Sequence, residues 1–230
     1  MLQIQTCVCA GIFLIIFSLA PQVKSETELW KNHHKYNLEV AARLEQWNRL
    51  MLTAKYLPEQ EKLIQVNDFF NHLLKFSNDS HLWNIQDYWA DPMELLIKGA
   101  GDCEDYSIAK YLTLKQLKVS DEKLRLTYVT ALNLNQAHMV LSYFSNPAAE
   151  PVVLDNLIAE IKPRIERTDL LPLFSFNASS LWLVNSNGNG KKIGKSMHLN
   201  MWAKLTERMQ NFNGITHSDS PYKSSNSQFK

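Results

Sequence analysis

The order of residue patterns along this 230-residue chain predicts an α+β fold, with N-terminal helices packed on an antiparallel sheet. Two observations carry that prediction. Apolar residues recur at three- and four-residue steps through the first half, and β-branched and aromatic runs divided by short turns fill most of the second. Strand and helix signals do not alternate, so the chain is not built of βαβ units, and no internal repeat is visible. Its length suits one globular domain with a real core.

The elements follow in order. Val8 to Ala20 (VCAGIFLIIFSLA) is an uncharged apolar block of 13 residues, short of the roughly 20 that a spanning helix needs. Val23-Lys24-Ser25 suits cleavage after Ser25, so residues 1–25 are expected to be a secretory signal, although Met1 to Thr6 carries no Lys or Arg. From about Glu39 to Phe76 the pattern is helical. Val40, Leu44, Trp47, Leu50 and Met51 form one stripe, and Leu63, Val66, Phe70, Leu73 and Leu74 form another beyond the Pro58 break. A polar connection, Ser77 to Pro92 (SNDSHLWNIQDYWADP), follows, and its Trp83, Tyr88 and Trp89 are expected to pack the core. A short helix then leads to Gly99-Ala100-Gly101. Helical spacing resumes from Cys103 to Leu117, with Asp102 as N-cap and Asp105 at the capping-box position.

Beyond Val119-Ser120 the chain turns to strands. Leu124 to Leu134 and Ala137 to Phe144 are joined at Asn135-Gln136 as a hairpin, and Pro151 to Leu157 forms a third strand. Further strands are expected at Leu173 to Phe176 and Leu181 to Val184, and a last helix at Leu199 to Met209. His217 to Lys230 is rich in Ser, Asn and Lys, with little to bury, and is expected to be a disordered tail behind a domain spanning 26–216.

Export changes the chemistry available. Cys7 and Cys9 leave with the signal, so Cys103 stands alone and has no intramolecular disulfide partner. A lone thiol in an oxidising compartment is a liability unless it is buried or used. Lys24 leaves too, taking Lys+Arg from 24 to 23 against 23 acids. Formal neutrality argues against nucleic acid or an anionic membrane surface as partner.

Nucleophilic catalysis by a thiol needs an activating position, an imidazole within hydrogen-bond reach and a group that orients the imidazole. Cys103 opens a helix, where free N–H groups and the macrodipole favour a thiolate and leave its own N–H available to an oxyanion. His138 lies on a strand face with Val140, Ser142 and Phe144, where an unpaired imidazole would be poorly satisfied. Asp155 interrupts an apolar strand next to Val153, and a carboxylate there needs a donor or a cation. A helix-borne Cys, a strand-borne His and a next-strand Asp can converge at one sheet edge. Each also has an ordinary role open to it: a small buried hydrophobe, a satisfied core or surface histidine, and a turn at Asp155-Asn156.

The stretches GAGDCEDYSIAKYLTLKQL, LRLTYVTALNLNQAHMVLSYF and PVVLDNL resemble the Cys, His and Asp blocks of the bacterial transglutaminase-like cysteine proteases of the LapG type. The similarity continues upstream through VNDFFN and DYWADPMELLIKGAGD. The resemblance implies a papain-like, transglutaminase-like fold, with Cys103 as nucleophile, His138 as general base and then acid, and Asp155 as the orienting carboxylate. It implies a periplasmic enzyme that cleaves a large surface adhesin at a paired-alanine site near its N-terminus. It also implies control by an inner-membrane cyclic di-GMP receptor, whose periplasmic domain sequesters the protease and so preserves biofilm.

Asp102, Glu104 and Asp105 crowd the thiol and should oppose its ionisation. Capping and dipole compensation account for one or two of them. A hard-cation site accounts for the set, since carboxylate oxygens suit Ca²⁺ and a bound ion would cancel their field. The family resemblance implies a calcium requirement, mapped onto Asp102 and Glu104, with Asp105 as a third candidate. Three carboxylates do not fill a Ca²⁺ shell, so carbonyls, waters or residues of Ser77 to Pro92 must contribute.

Other signals carry no function. Gly188 to Ser196 (GNGKKIGKS) has Asn at 189, where a phosphate loop needs Gly, and Asn187-Gly188 and Asn189-Gly190 are expected to be turn residues. The sequons at Asn78 and Asn177 matter only in a glycosylating host, and His33-His34 is expected at the surface. The expected function is thus a calcium-dependent periplasmic cysteine endopeptidase. Two rivals stand beside it: an acyltransferase using the same triad, and a non-enzymatic calcium-responsive interaction module.

Overall fold

A computed structural model describes residues 38–185 and 190–219, the last nine of these by backbone alone. The expected signal at 1–25, His33-His34, residues 187–189 of the expected turns and residues 220–230 of the expected tail lie outside the described residues.

Helix α1 (Leu38–Ala54) buries Val40, Trp47 and Leu50, and α2 (Glu59–Leu73) buries Leu63, Val66 and Phe70, the stripes expected from periodicity. Pro58 sits at the N-cap of α2, where its missing N–H costs nothing. A two-residue strand β1 (Lys75–Phe76) precedes the single-turn helix α3 (Asp79–Leu82). Helix α4 (Pro92–Lys98) starts with a complete capping box between Asp91 and Glu94 and ends at Gly99, which is left-handed at φ 71°. Strand β2 (Ala100–Gly101) pairs parallel with β1, and Ser77 N–H reaches Gly101 O at 2.9 Å. This short ladder ties the start of the Ser77 to Pro92 connection to the residues just before Cys103. Within that connection Trp89 joins the core and stacks on Phe176 at 5.7 Å, while Trp83 and Tyr88 pack against the core half-buried.

Helix α5 (Cys103–Gln116) is central, lying between α2 and the sheet. It buries residues around most of its circumference, Lys110 and Thr113 included, so no single apolar stripe marks it.

The sheet holds β3 (Leu124–Ala131), β4 (Gln136–Tyr143), β5 (Val152–Leu154), β6 (Lys162–Pro163), β7 (Leu170–Phe176), β8 (Leu181–Val184) and β9 (Gly190–Gly194). The spatial order is β6-β5-β4-β3-β7-β8-β9, with every pairing antiparallel. One face, with Leu124, Leu126, Met139, Leu141 and Tyr143, joins the main core under α5. On the other side Val129, Ala131, Val140, Val153 and Leu170 form a smaller cluster.

Several boundaries differ from expectation for identifiable reasons. Strand β3 stops at Ala131 because the hairpin turn spans Leu132 to Asn135, closed by Leu134 N–H to Ala131 O at 3.1 Å. Strand β5 stops at Leu154 because Asp155 leaves the ladder for side-chain bonds. Strand β7 begins at Leu170 and runs through Pro172, tolerated where the β3 pairing shifts register at Tyr128/Val129. Gly190, expected in a turn, opens edge strand β9, which the sequence reading did not anticipate because its lysines and largely exposed pattern carry no apolar alternation. Helix α6 (Asn200–Asp219) runs ten residues past Met209 and takes in 217–219 of the expected tail.

Candidate active site

Cys103 is the first residue of α5, and its position there is built with care. Asp102 is the N-cap residue, and its N–H donates to Asp105 Oδ2 at 3.3 Å, half of the capping box. Ser107, one turn on, donates to Met139 O at 2.9 Å and fixes the helix against β4 beside His138. Cys103 and His138 line one cleft of about 340 Å³, whose other walls include Phe76, Tyr128 and Gln136.

His138 is 5 % exposed, and its Nε2 lies 2.7 Å from Oδ1 of Asp155, itself 1 % exposed. A carboxylate only accepts, so Nε2 carries the hydrogen and Nδ1 is left to take a proton. The turn alternative at Asp155 holds at the same time, because Leu157 N–H donates to the same Oδ1 at 3.1 Å. Asp155 O accepts from Asn71 Nδ2 of α2 at 2.7 Å and from Lys110 Nζ of α5 at 3.1 Å. Lys110 stands two turns beyond Cys103, so one helix presents the thiol and holds the Asp155 backbone. Burial pushes Asp155 up, but the hydrogen bond and charge of His138, the Leu157 N–H and Arg167 outweigh it and hold the carboxyl at about 2. Burial lowers Lys110 to about 7, against the pull of Asp155 and Asp68.

The thiol itself is at rest. Its Sγ donates to Glu104 Oε2 at 3.0 Å, and burial, the Glu104 charge and that bond drive its pKa far up. The Met139 N–H pulls the other way and loses.

Of the acids expected to hold a cation, Asp102 and Glu104 present oxygens that lie within 4.8 Å of each other and of an Asp79 oxygen. Asp79 belongs to the Ser77 to Pro92 connection, one of the three sources, with carbonyls and waters, from which further ligands were expected. Asp105 is not in this group: its carboxylate accepts from the buried Ala90 N–H at 2.7 Å and from Asp102 N–H. Oδ1 of Asp79 and Oδ1 of Asp102 are buried without a hydrogen-bond partner. Burial, then Glu104, Asp105 and Asp79 push Asp102 to about 9, and burial, opposed by the Tyr88 N–H, takes Asp79 to about 6 with help from Glu104 and Asp87. Clustered, partnerless carboxylate oxygens are the donor set of a hard divalent cation, so the residues present fit Ca²⁺.

Sequence reasoning missed Asp79 and also Arg167, which donates to Asp155 Oδ2 at 2.7 Å. Arg167 lies in an irregular segment with no periodicity to mark it. Asp79 is one of three aspartates in its connection, and spacing does not tell them apart.

A helix-start cysteine and a strand histidine that line one cleft, with a buried aspartate bonded to the histidine, are groups suited to a thiol hydrolase. The chain belongs to the bacterial transglutaminase-like cysteine proteinase family (BTLCP), whose model matches residues 23–170. Within that class it is similar to LapG of Legionella pneumophila, at 38% identity to both the calcium-bound and EGTA-treated structures. The calcium-bound form has a TM-score of 0.69, covering 80% of this chain and 98% of that one. The EGTA-treated form has a TM-score of 0.70, covering 80% and 96%. No curated protein matches the chain. Among the described residues, no helix is long and apolar enough to cross a membrane.

Proposed function

We propose that the chain is a calcium-dependent, exported cysteine endopeptidase of the periplasm, with Cys103 as nucleophile, His138 as base and acid, and Asp155 as its orienting carboxylate. The observation that carries this is the 2.7 Å His138–Asp155 bond behind a cleft that His138 shares with a helix-start cysteine.

The chemistry follows from the groups. His138 Nδ1 takes the thiol proton, and Sγ attacks the scissile carbonyl carbon, while Asp155 stabilises the imidazolium. The Cys103 N–H at the helix start faces the developing oxyanion. His138 returns its proton to the leaving amine as the C–N bond breaks, leaving a thioester on Cys103. Water then attacks with His138 as base, and the thiol departs with the carboxyl product formed. Asp79, Asp102 and Glu104 would hold the Ca²⁺, which supplies positive charge against the field that keeps the thiol protonated. Glu104 is the pivot of that effect, because it both holds the thiol proton and belongs to the acid cluster.

The substrate we propose is a large surface adhesin cut at a paired alanine near its N-terminus. Release of the adhesin would disperse biofilm, and sequestration of the protease by the periplasmic domain of an inner-membrane cyclic di-GMP receptor would prevent it. Incubating such an adhesin fragment with wild type and Cys103→Ala, in calcium or EGTA, tests this. Cleavage between the alanines only with the thiol and calcium present is expected. An intact fragment, or transfer to an added primary amine in place of hydrolysis, would defeat the endopeptidase reading.

A further inference from the structure

Asp155 is gripped on both oxygens. Oδ1 serves His138 and the Leu157 N–H, while Oδ2 accepts from Arg167 Nη2 at 2.7 Å. Arg167 in turn forks onto Asp169, with Nε to Oδ1 at 2.9 Å and Nη2 to Oδ2 at 2.8 Å. Arg167 is only 2 % exposed. The segment carrying it is itself ordered by hydrogen bonds, with Arg167 N–H on Arg164 O at 3.0 Å and Leu170 N–H on Arg167 O at 3.1 Å. Leu170 then enters β7 in the apolar cluster with Val140 and Val153.

We propose that Arg167, braced by Asp169, is a positioning residue that fixes the plane of the Asp155 carboxylate so that Oδ1 stays on the His138 imidazole. A carboxylate held at one oxygen can swing about its terminal torsion, which is broad. Anchoring the second oxygen removes that freedom. A guanidinium suits the task because its planar fork spans two carboxylates and never loses its proton. Asp169 has a separate part, offsetting the arginine charge so that the field of Asp155 is left for the imidazole. Lys110 also approaches Asp155, through its backbone carbonyl, and Lys110 in turn feels the charge of Asp68. Neither touches the carboxylate.

The inference rests on the Cys103–His138–Asp155 reading, and its test separates the two. Alkylation of Cys103 by iodoacetamide is followed against pH in calcium for wild type, Arg167→Met, Arg167→Lys, Asp169→Asn and His138→Ala. Arg167→Met should slow alkylation near neutrality by about tenfold, the lower range for groups that orient a functional ligand. It should also move the acid limb up by about one pH unit, as Asp155 loses its cation. Arg167→Lys should recover part of the rate, and Asp169→Asn, at a partly exposed side chain, should slow alkylation by less and move the limb the other way, because it removes a negative charge and leaves Asp155 its cation. A wild-type rate and acid limb in Arg167→Met and Asp169→Asn, with only the melting temperature lowered, would make the pair a structural brace and overturn the inference alone. Wild-type behaviour of His138→Ala would overturn the catalytic reading and this inference with it.

Discussion

The thiol of Cys103 is held in its protonated form by the same carboxylate that helps to build the acid cluster, so its reactivity is tied to the charge on that cluster. Two substitutions separate the acids by role. Asp79→Asn removes one of the three converging oxygens and should weaken calcium binding by an order of magnitude or more in calorimetric titration, leaving the calcium-free fold nearly as stable. Asp105→Ala leaves the Ala90 N–H buried without an acceptor and should cost about 1–3 kcal/mol in chemical denaturation, with calcium affinity much less affected. Equal losses of calcium affinity in the two variants would return Asp105 to the ligand set. Asp155 makes a different kind of contribution. Its folded carboxyl, held at about 2, lies below its unfolded value, so its contribution to stability is present above about pH 4 and is lost as pH falls toward 2.

The nucleophile's helix is aimed by small pieces of structure on either side of it. Gly101 ends β2, and a Cβ there would meet Leu95 Cδ1 at 2.5 Å and Asp105 Oδ2 at 2.6 Å, so any side chain would push α4 and the α5 cap apart. Gly101→Ala should therefore cost about 1–3 kcal/mol and lower activity by more than the stability loss explains, measured by denaturation beside turnover. Legibility in the sequence follows the same division. Helices α1 and α2, the β3–β4 hairpin and β8 were readable because burial on one face, or a run of β-branched residues, leaves a period, while α5, buried on most sides, was marked by Asp102 and Asp105 at its capping box. Strand β9 was not, because an edge strand is written in lysines and glycines. Cys103, His138 and Asp155 could be picked out because each is costly or idle where it stands without a partner. Asp79 and Arg167 could not, since an aspartate in a polar connection and an arginine in an irregular segment look ordinary until the chain is folded. The β1–β2 ladder that ties the connection bearing Asp79 to the strand before Asp102 is only two residues long on each side, too short for any pattern.

The molecule as a whole carries an electrostatic imbalance that calcium would relieve. Asp79 and Asp102 are raised to about 6 and about 9 in the calcium-free fold. Raised carboxyls give stability that is complete below their unfolded values and is lost as pH climbs through the folded ones, so the calcium-free protein should weaken between about pH 4 and 9. The rise in melting temperature on adding calcium should consequently be larger near pH 8 than near pH 5. A calcium shift that is equal at the two pH values, or absent, would contradict a cation site made of these acids. The central claim, that Cys103 is a nucleophile released by calcium and served by His138, is tested most directly by the rate of iodoacetamide alkylation of Cys103 in the native protein near neutral pH, with calcium and with EGTA. The account predicts rapid alkylation in calcium, slow alkylation in EGTA, and loss of the calcium-dependent acceleration in His138→Ala. The same slow rate in calcium and in EGTA would contradict it.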